Sequence, residues 1–250
     1  ASVGCFSMLC AAGYMACGRP LRPYRLFSGW QPPRRKALHD LLRLGLPMGC
    51  SHFVEISSFT LMALFVAQLG ATVLAGHRIV ANLAAICYML PLALAVATLA
   101  QVGQAAGARD WRRAESSIAA GMLLAGGLSA LLGLLLWSIA GPLVAAYTDD
   151  PAVQTVALGL LGYVALYQVF DAVQTVAAHA LRGYRIAFAP MLVHLACFWG
   201  VGLFGGWWLA FRISQPMGVA GFWLASALSL LLAAILLGAL LRHAVSAIKP

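Results

Sequence analysis

Six long runs of apolar residues dominate the chain, and short polar connections separate them. An α-helix needs about 20 predominantly apolar residues to cross a lipid bilayer, and each run is long enough for a tilted crossing. The connections are rich in glycine, proline and charge, as is typical of turns between helices. The pattern therefore predicts six transmembrane helices. They lie at residues 44–69, 75–101, 117–140, 152–178, 188–210 and 218–241.

Composition supports an integral membrane protein with the lipid bilayer as its surroundings. Hydrophobic residues make up 62% of the chain and charged residues only 9%, whereas a soluble domain is about half apolar and a quarter charged. The six cysteines have no CxxC spacing, so they indicate small buried side chains rather than a zinc site or a disulfide framework.

The net charge of +9 is distributed unevenly between the two sides of the predicted helices. Alternate connections, at 18–43, 102–116, 179–187 and from 242 onward, hold fourteen of the sixteen Lys and Arg residues. Basic connections face the cytoplasm in membrane proteins. We therefore expect a multi-pass protein of the bacterial inner membrane with a cytoplasmic carboxy-terminus. Placement of the charge in short connections argues against binding of nucleic acid.

A polar stripe crosses the fourth predicted helix, at 152–178, with Asp171 at its centre. Residues three and four apart share a helical face, and Asp171 has polar neighbours at those spacings: Tyr167, Gln168, Gln174 and Thr175. A carboxylate at membrane depth usually faces a helix-bundle interior or a wet cavity, where it handles an ion or a substrate. The alternative is a structural polar contact between helices.

A second polar stripe lies on the first predicted helix, around Glu55. Ser51, His52 and Ser58 share its face. Glu55 and Asp171 are the two acidic residues predicted deep in the membrane, so we expect them to form one shared site. His52 either adjusts the charge state of Glu55 or forms a hydrogen bond with a neighbouring helix. His179 is expected at the membrane interface, and His194 is expected in a packing contact between helices.

Carboxylates and neutral oxygens are ligands that a hard cation such as sodium prefers. A pair of desolvated acids would also serve to bind and release protons. The same pocket would attract organic cations. The expected cofactor is therefore only a coupling ion, sodium or a proton, and the pattern contains neither an HExxH stretch nor a paired-Asp motif of a membrane enzyme.

Three stretches resemble signature regions of the multidrug and toxic compound extrusion (MATE) family, nearest to its NorM-like branch. These are LGLPMGCSHFVEISSFTLMALFVAQLG, GHRIVANLAAICYMLPLALAVATLAQVGQAAGARD and DAVQTVAAHALRGYRIAFAPMLVHLACFWGVGL. The likeness covers about residues 40–240. The chain departs from the family pattern at Gln101, at Phe198, and in the loop RGYRIAFAP, which lacks the usual Asp-Thr. None of these departures affects Glu55 or Asp171.

The resemblance implies an all-α membrane fold of twelve helices in two six-helix lobes. Residues 1–17 would be the end of the sixth helix, 18–43 a basic cytoplasmic linker, 44–241 the carboxy-terminal lobe and 242–250 a cytoplasmic tail. The amino-terminal lobe would be a missing partner. The resemblance also implies a cation site made by Glu55, Tyr167 and Asp171, and a function in exporting organic cations in exchange for sodium or protons.

Other classes of membrane protein remain open. A lipid-carrier flippase of the same superfamily would share the fold, and a substrate-stimulated cation flux would separate it from a drug antiporter. A seven-helix receptor would match the number of apolar segments when residues 1–17 are included, although the interior acids fit no receptor motif. The chain could also be inert by itself.

Overall fold

The computed structural model describes residues 2–17 and 34–248, and within these ranges all regular structure is helical. The chain forms two compact units, residues 1–42 and 43–250. The first contains α1 (Ser2–Cys17), an apolar helix with exposed Phe6 and Met8. Most of the predicted linker at 18–43 lies outside the described residues.

Within residues 2–17 and 34–248, six helices are long and apolar enough to cross a membrane, which confirms the predicted number and order of spans. One of them is built from three consecutive segments, α7, a π-helix (here π1) and α8, and a short helix, α5, precedes α6. The elements are α2 (Arg35–Ala67), α3 (Ala71–Gly107), α4 (Trp111–Ser138), α5 (Ala140–Ala145), α6 (Pro151–Gly183), α7 (Phe188–His194), π1 (Leu195–Phe204), α8 (Gly205–Phe211) and α9 (Val219–Ile248).

Several helices extend beyond the apolar runs that predicted them. Helix α2 begins at Arg35 rather than at residue 44, with Pro47 inside it, and α9 continues through most of the predicted tail to Ile248. The edge of an apolar run marks where the chain leaves lipid, not where the helix ends. Leucine, alanine, lysine and arginine flank these runs, and all are strong helix formers.

Two helix starts are fixed by aspartate caps. The Asp150 side chain accepts a hydrogen bond from the Ala152 backbone N–H (2.9 Å), and Pro151 opens α6. The Asp110 side chain accepts from the Arg113 N–H at the start of α4 (3.0 Å). Such caps satisfy amide groups that have no partner within the helix, and proline at the first position costs no hydrogen bond.

Helix α6 is the centre of the second unit. It packs against α3, α4 and α9, and also touches α5. Every residue from Gln174 to Arg182 is buried. The polar stripe predicted on this helix is therefore enclosed by other helices rather than presented to lipid.

The outside of the second unit is apolar, as expected for a surface in contact with lipid tails. Large hydrophobic side chains are exposed on every long helix, far beyond what a soluble monomer shows. Examples are Phe53, Ile86, Leu123, Leu131, Trp137, Leu166, Phe204 and Ile235. Together with the six spanning helices, this surface shows a multi-pass membrane protein.

Backbone contact between α4 and α6 depends on Gly133. A Cβ atom added there would lie 2.7 Å from the Ala165 carbonyl oxygen, which belongs to a buried helix and has little freedom to move. Small residues at such crossings let membrane helices approach closely. Gly127, on the same helix, has open space where its Cβ would lie.

We therefore expect Gly133→Ala to lower the melting temperature of the purified chain, because overpacking costs about 1–3 kcal/mol. Gly127→Ala is the matched control and should leave the melting temperature unchanged or slightly raised, since alanine is the better helix former. Equal melting temperatures for the two variants would show that the crossing tolerates a methyl group.

The π1 segment has a distinctive set of side-chain contacts to its backbone. The Ser229 hydroxyl donates to the Cys197 carbonyl (2.8 Å), and the Ser58 hydroxyl donates to the Phe198 carbonyl (3.1 Å). In a π-helix each backbone hydrogen bond spans five residues rather than four. Serines from α9 and α2 thus give two carbonyls of π1 additional donors.

Candidate cation-binding site

Asp171 lies inside the helix bundle, with 5% of its surface exposed. The Gln174 side-chain amide donates one hydrogen bond to Asp171 Oδ1 (2.9 Å) and another to Thr175 Oγ1 (3.0 Å). The first contact follows from a spacing of three residues along α6, and the second joins adjacent residues. One carboxylate oxygen is therefore held by the protein's own donor.

Glu55 approaches the same region from α2, with 22% of its side chain exposed. His52 Nδ1 lies 3.6 Å from Glu55 Oε2, and the His52 side chain is 49% exposed. The Tyr88 side chain, from α3, interacts electrostatically with both Glu55 and Asp171. Tyr88 therefore belongs to the same polar region.

The two carboxyl groups are near enough to repel each other electrostatically. Tyr88 interacts electrostatically with both of them, and Gln174 donates hydrogen bonds to both Asp171 and Thr175. Repulsion between like charges is strong where water is scarce, and a bound cation relieves it. The structure thus brings Glu55 and Asp171 into one polar region of the second unit. Their role as ligands stays a prediction.

Tyr167 is buried one turn before Asp171, and it interacts electrostatically with both acids. Its ring packs edge-on against Trp223, with 5.7 Å between ring centroids. Tyr167 also lines a cavity of about 10 Å³ beside Ser58, Ser226 and other side chains. That volume suits a single water molecule. Tyr167 is therefore placed to add a neutral oxygen near the acids.

Three further predicted residues make packing contacts. Gln168 donates its amide to the Ala84 carbonyl of α3 (2.9 Å), and Ser58 donates to π1. Ser51 is buried, and its hydroxyl has no hydrogen-bond partner among the described residues. Gln168 and Ser58 thus join α6 and α2 to neighbouring helices at the edges of the polar region.

One histidine differs from expectation, and a second makes a contact that was not predicted. His179 is buried rather than interfacial, and its Nδ1 lies 2.8 Å from the Thr175 carbonyl oxygen, because α3, α4 and α9 surround this end of α6. His194 packs within the bundle as expected, but it also contacts the Gln174 side chain (3.1 Å). It therefore belongs to the network around Asp171.

Arg182 is a member of the polar region that sequence reasoning assigned to a loop. Only 5% of it is exposed, and it is attracted electrostatically to Glu55 and Tyr88. Eleven residues separate it from Asp171, so both lie on one helical face to within about 20°. That spacing could have indicated from the sequence that Arg182 belongs to the polar region. The sequence gives no such indication for Tyr88, because Tyr88 lies inside an apolar run.

Comparison with known proteins identifies related chains. The sequence profile of the MatE family matches residues 47–208. A "Probable multidrug resistance protein NorM" of Aromatoleum aromaticum is 58% identical over 245 residues, covering 97% of this chain and 53% of the relative. "Multidrug resistance protein PmpM" of Pseudomonas aeruginosa is 36% identical, covering 86% of this chain and 46% of the relative.

Solved structures agree on the fold. "Crystal structure of eukaryotic MATE transporter AtDTX14" superimposes with a TM-score of 0.81 at 18% identity, over 95% of this chain and 55% of that one. An outward-facing multidrug resistance transporter of the same family gives a TM-score of 0.80 at 17% identity, over 90% and 49%. The chain thus spans about half the length of the relatives it matches.

Proposed function

This chain belongs to the MatE family of membrane transporters and corresponds to a carboxy-terminal half, and on that basis we propose that it is one lobe of a cation-coupled antiporter that exports organic cations. Such a transporter would lie in the bacterial inner membrane. Basic residues in the connection after α3 and at the end of α6, together with the carboxy-terminus, would face the cytoplasm.

The observation that carries the proposal is the buried Asp171 carboxylate with Glu55 close by. Desolvating an uncompensated carboxylate is costly, so such a group is kept where a cation serves it. Asp171 and Glu55 supply the charge, and Tyr167 supplies a neutral oxygen. Either sodium or a proton suits this set of groups.

Exchange follows if both cations use the same carboxylates. When the coupling ion binds Asp171 and Glu55, the site loses the negative charge that attracts an organic cation. When the coupling ion leaves, that charge returns. The two ligands therefore compete, and a change of access between two lobes would convert this competition into export.

The test uses this chain co-expressed with the amino-terminal half of the Aromatoleum aromaticum relative, in cells or liposomes that lack other drug exporters. We expect a fluorescent organic cation to be exported only while a sodium or a proton gradient is imposed. Collapsing each gradient separately identifies the coupling ion. Export that ignores both gradients would refute cation coupling, and movement of a lipid carrier instead would favour a flippase.

Arg182 is placed to offset part of the negative charge of the proposed site, because it is attracted electrostatically to Glu55. When both carboxyl groups are ionised, they and the guanidinium leave one net negative charge, because arginine stays protonated in proteins. One negative charge suits a single monovalent cation.

We expect Arg182→Gln to shift export toward dicationic dyes by about tenfold relative to monocationic dyes. The variant removes one positive charge, which makes the net charge of the site more negative by one. Arg182→Lys keeps the charge and is the matched control, with a nearly unchanged ratio. The ratio is measured with pairs of fluorescent dyes of similar size. An unchanged ratio in Arg182→Gln would place Arg182 outside the electrostatics of the site.

A further inference from the structure

A chain of hydrogen bonds leads from Asp171 on α6 to His194 at the end of α7. Asp171 Oδ1 accepts from Gln174 Nε2 (2.9 Å), and Gln174 Oε1 lies 3.1 Å from His194 Nε2. All three residues are buried. Gln174 and His194 are 20 residues apart in the sequence and lie on different helices, so their contact depends on the tertiary fold rather than on spacing along one helix.

The contacts assign the direction of every hydrogen bond in the chain. Gln174 uses both amide hydrogens, one toward Asp171 and one toward Thr175 Oγ1. Its Oε1 can only accept, so His194 Nε2 must carry the hydrogen. His194 Nδ1 is buried and has no partner among the described residues. A bare lone pair there costs less than a buried N–H without an acceptor, which makes the ring neutral with hydrogen on Nε2.

Packing holds the His194 ring in place independently of this bond. The ring lies edge-on to Phe198, with 5.5 Å between centroids and an interplanar angle of 66°. The Phe198 carbonyl in turn accepts from Ser58 of α2. His194 therefore presents Nε2–H to Gln174 from a rigid position between two helices.

We propose that His194 is a positioning residue for Asp171 and acts through Gln174. Its Nε2–H holds the Gln174 amide with the NH2 group toward Asp171, which commits Oδ1 to the protein and leaves Oδ2 for the transported cation. Without this donor the amide is held only through its NH2 group, by Asp171 and Thr175, and its oxygen loses the bond that helps to fix the orientation of the amide. This inference rests on the proposed function for its cation, but not for the hydrogen-bond chain itself.

One test reads the hydrogen bond directly and needs no transport. The full 250-residue chain is labelled with 15N-histidine and placed in lipid nanodiscs, and His194→Gln identifies the His194 resonances by difference. We expect Nε2 to be protonated and Nδ1 unprotonated, and we expect the Nε2 signal to shift in Gln174→Leu. Protonation on Nδ1, or an Nε2 signal that ignores Gln174→Leu, would overturn the assignment.

A second test measures what the bond does for the cation, in the two-half transporter described above. We expect His194→Leu to raise the half-saturating concentration of the coupling cation about five- to tenfold, with little change in maximal rate, as suits the loss of one buried hydrogen bond. His194→Gln retains a donor and should stay within about twofold of the original protein.

The double variant separates a positioning role from a general structural one. If His194 acts through Gln174, then His194→Leu should add less than about twofold in a Gln174→Leu background. Fully multiplicative effects would refute the relay. If the assembled protein moves no organic cation at all, the proposed function fails, whereas the histidine spectrum still decides the hydrogen-bond chain.

Discussion

Asp171→Asn is expected to abolish cation-coupled export while the protein still inserts and folds. Asparagine has nearly the same size, and its side-chain oxygen can still accept the hydrogen bond that Gln174 gives to Asp171 Oδ1. The variant loses only the charge. A carboxylate in a site of low dielectric attracts a cation by several kcal/mol, so the coupled rate should fall by at least about 100-fold.

Asp149→Asn is the matched control, because it makes the same chemical change in an exposed connection before α6. It should retain the original drug resistance. Both variants are compared for amount in the membrane, for melting temperature and for gradient-driven export. Full resistance in Asp171→Asn cells would show that this carboxylate does not couple transport, even with the fold intact.

The 250-residue chain by itself is expected to show no gradient-driven transport. Alternating access in related architectures is a rocking of one helix bundle against another around a site near the membrane midplane. The described part of this chain supplies one bundle with six helices long enough to span a membrane, whereas the relatives that the chain matches are about twice its length. The partly exposed side chains of His52 and Glu55 would meet lipid at a cost of several kcal/mol each.

Liposomes that contain only this chain therefore should not accumulate an organic cation under a sodium or proton gradient. Addition of the amino-terminal half from the Aromatoleum aromaticum relative should restore uptake, which supplies the positive control. Robust uptake by a monomeric 250-residue chain would contradict the proposed need for a second lobe.

Sequence patterns predicted the number and order of the spans because lipid imposes a simple rule on the residues that face it. The same rule misplaced helix ends, since Arg35 and Ile248 continue their helices beyond the apolar runs. It also gave no sign of π1, because hydropathy does not distinguish one helical winding from another.

The candidate site was predictable where its contacts are local. Gln174 and Thr175 meet Asp171 through helical spacing alone. Tyr88 and His194 join the site from other helices, and their partners depend on how α3 and α7 pack against α6. Arg182 is an intermediate case. Its position on the same helical face as Asp171 could be predicted from the spacing, but its burial depends on how the surrounding helices pack.

The π1 winding bears on how this span tolerates insertions and deletions. In an α-helix, removal of one residue turns everything beyond it by about 100°. A π-helical stretch holds extra residues for the same rotation, because its hydrogen bonds reach one residue farther. Gly206, which follows π1, meets Phe222 where an added Cβ would lie 2.6 Å from the ring. Leu195–Phe204 is therefore the part of this span where chain length can change while Gly206 keeps facing α9.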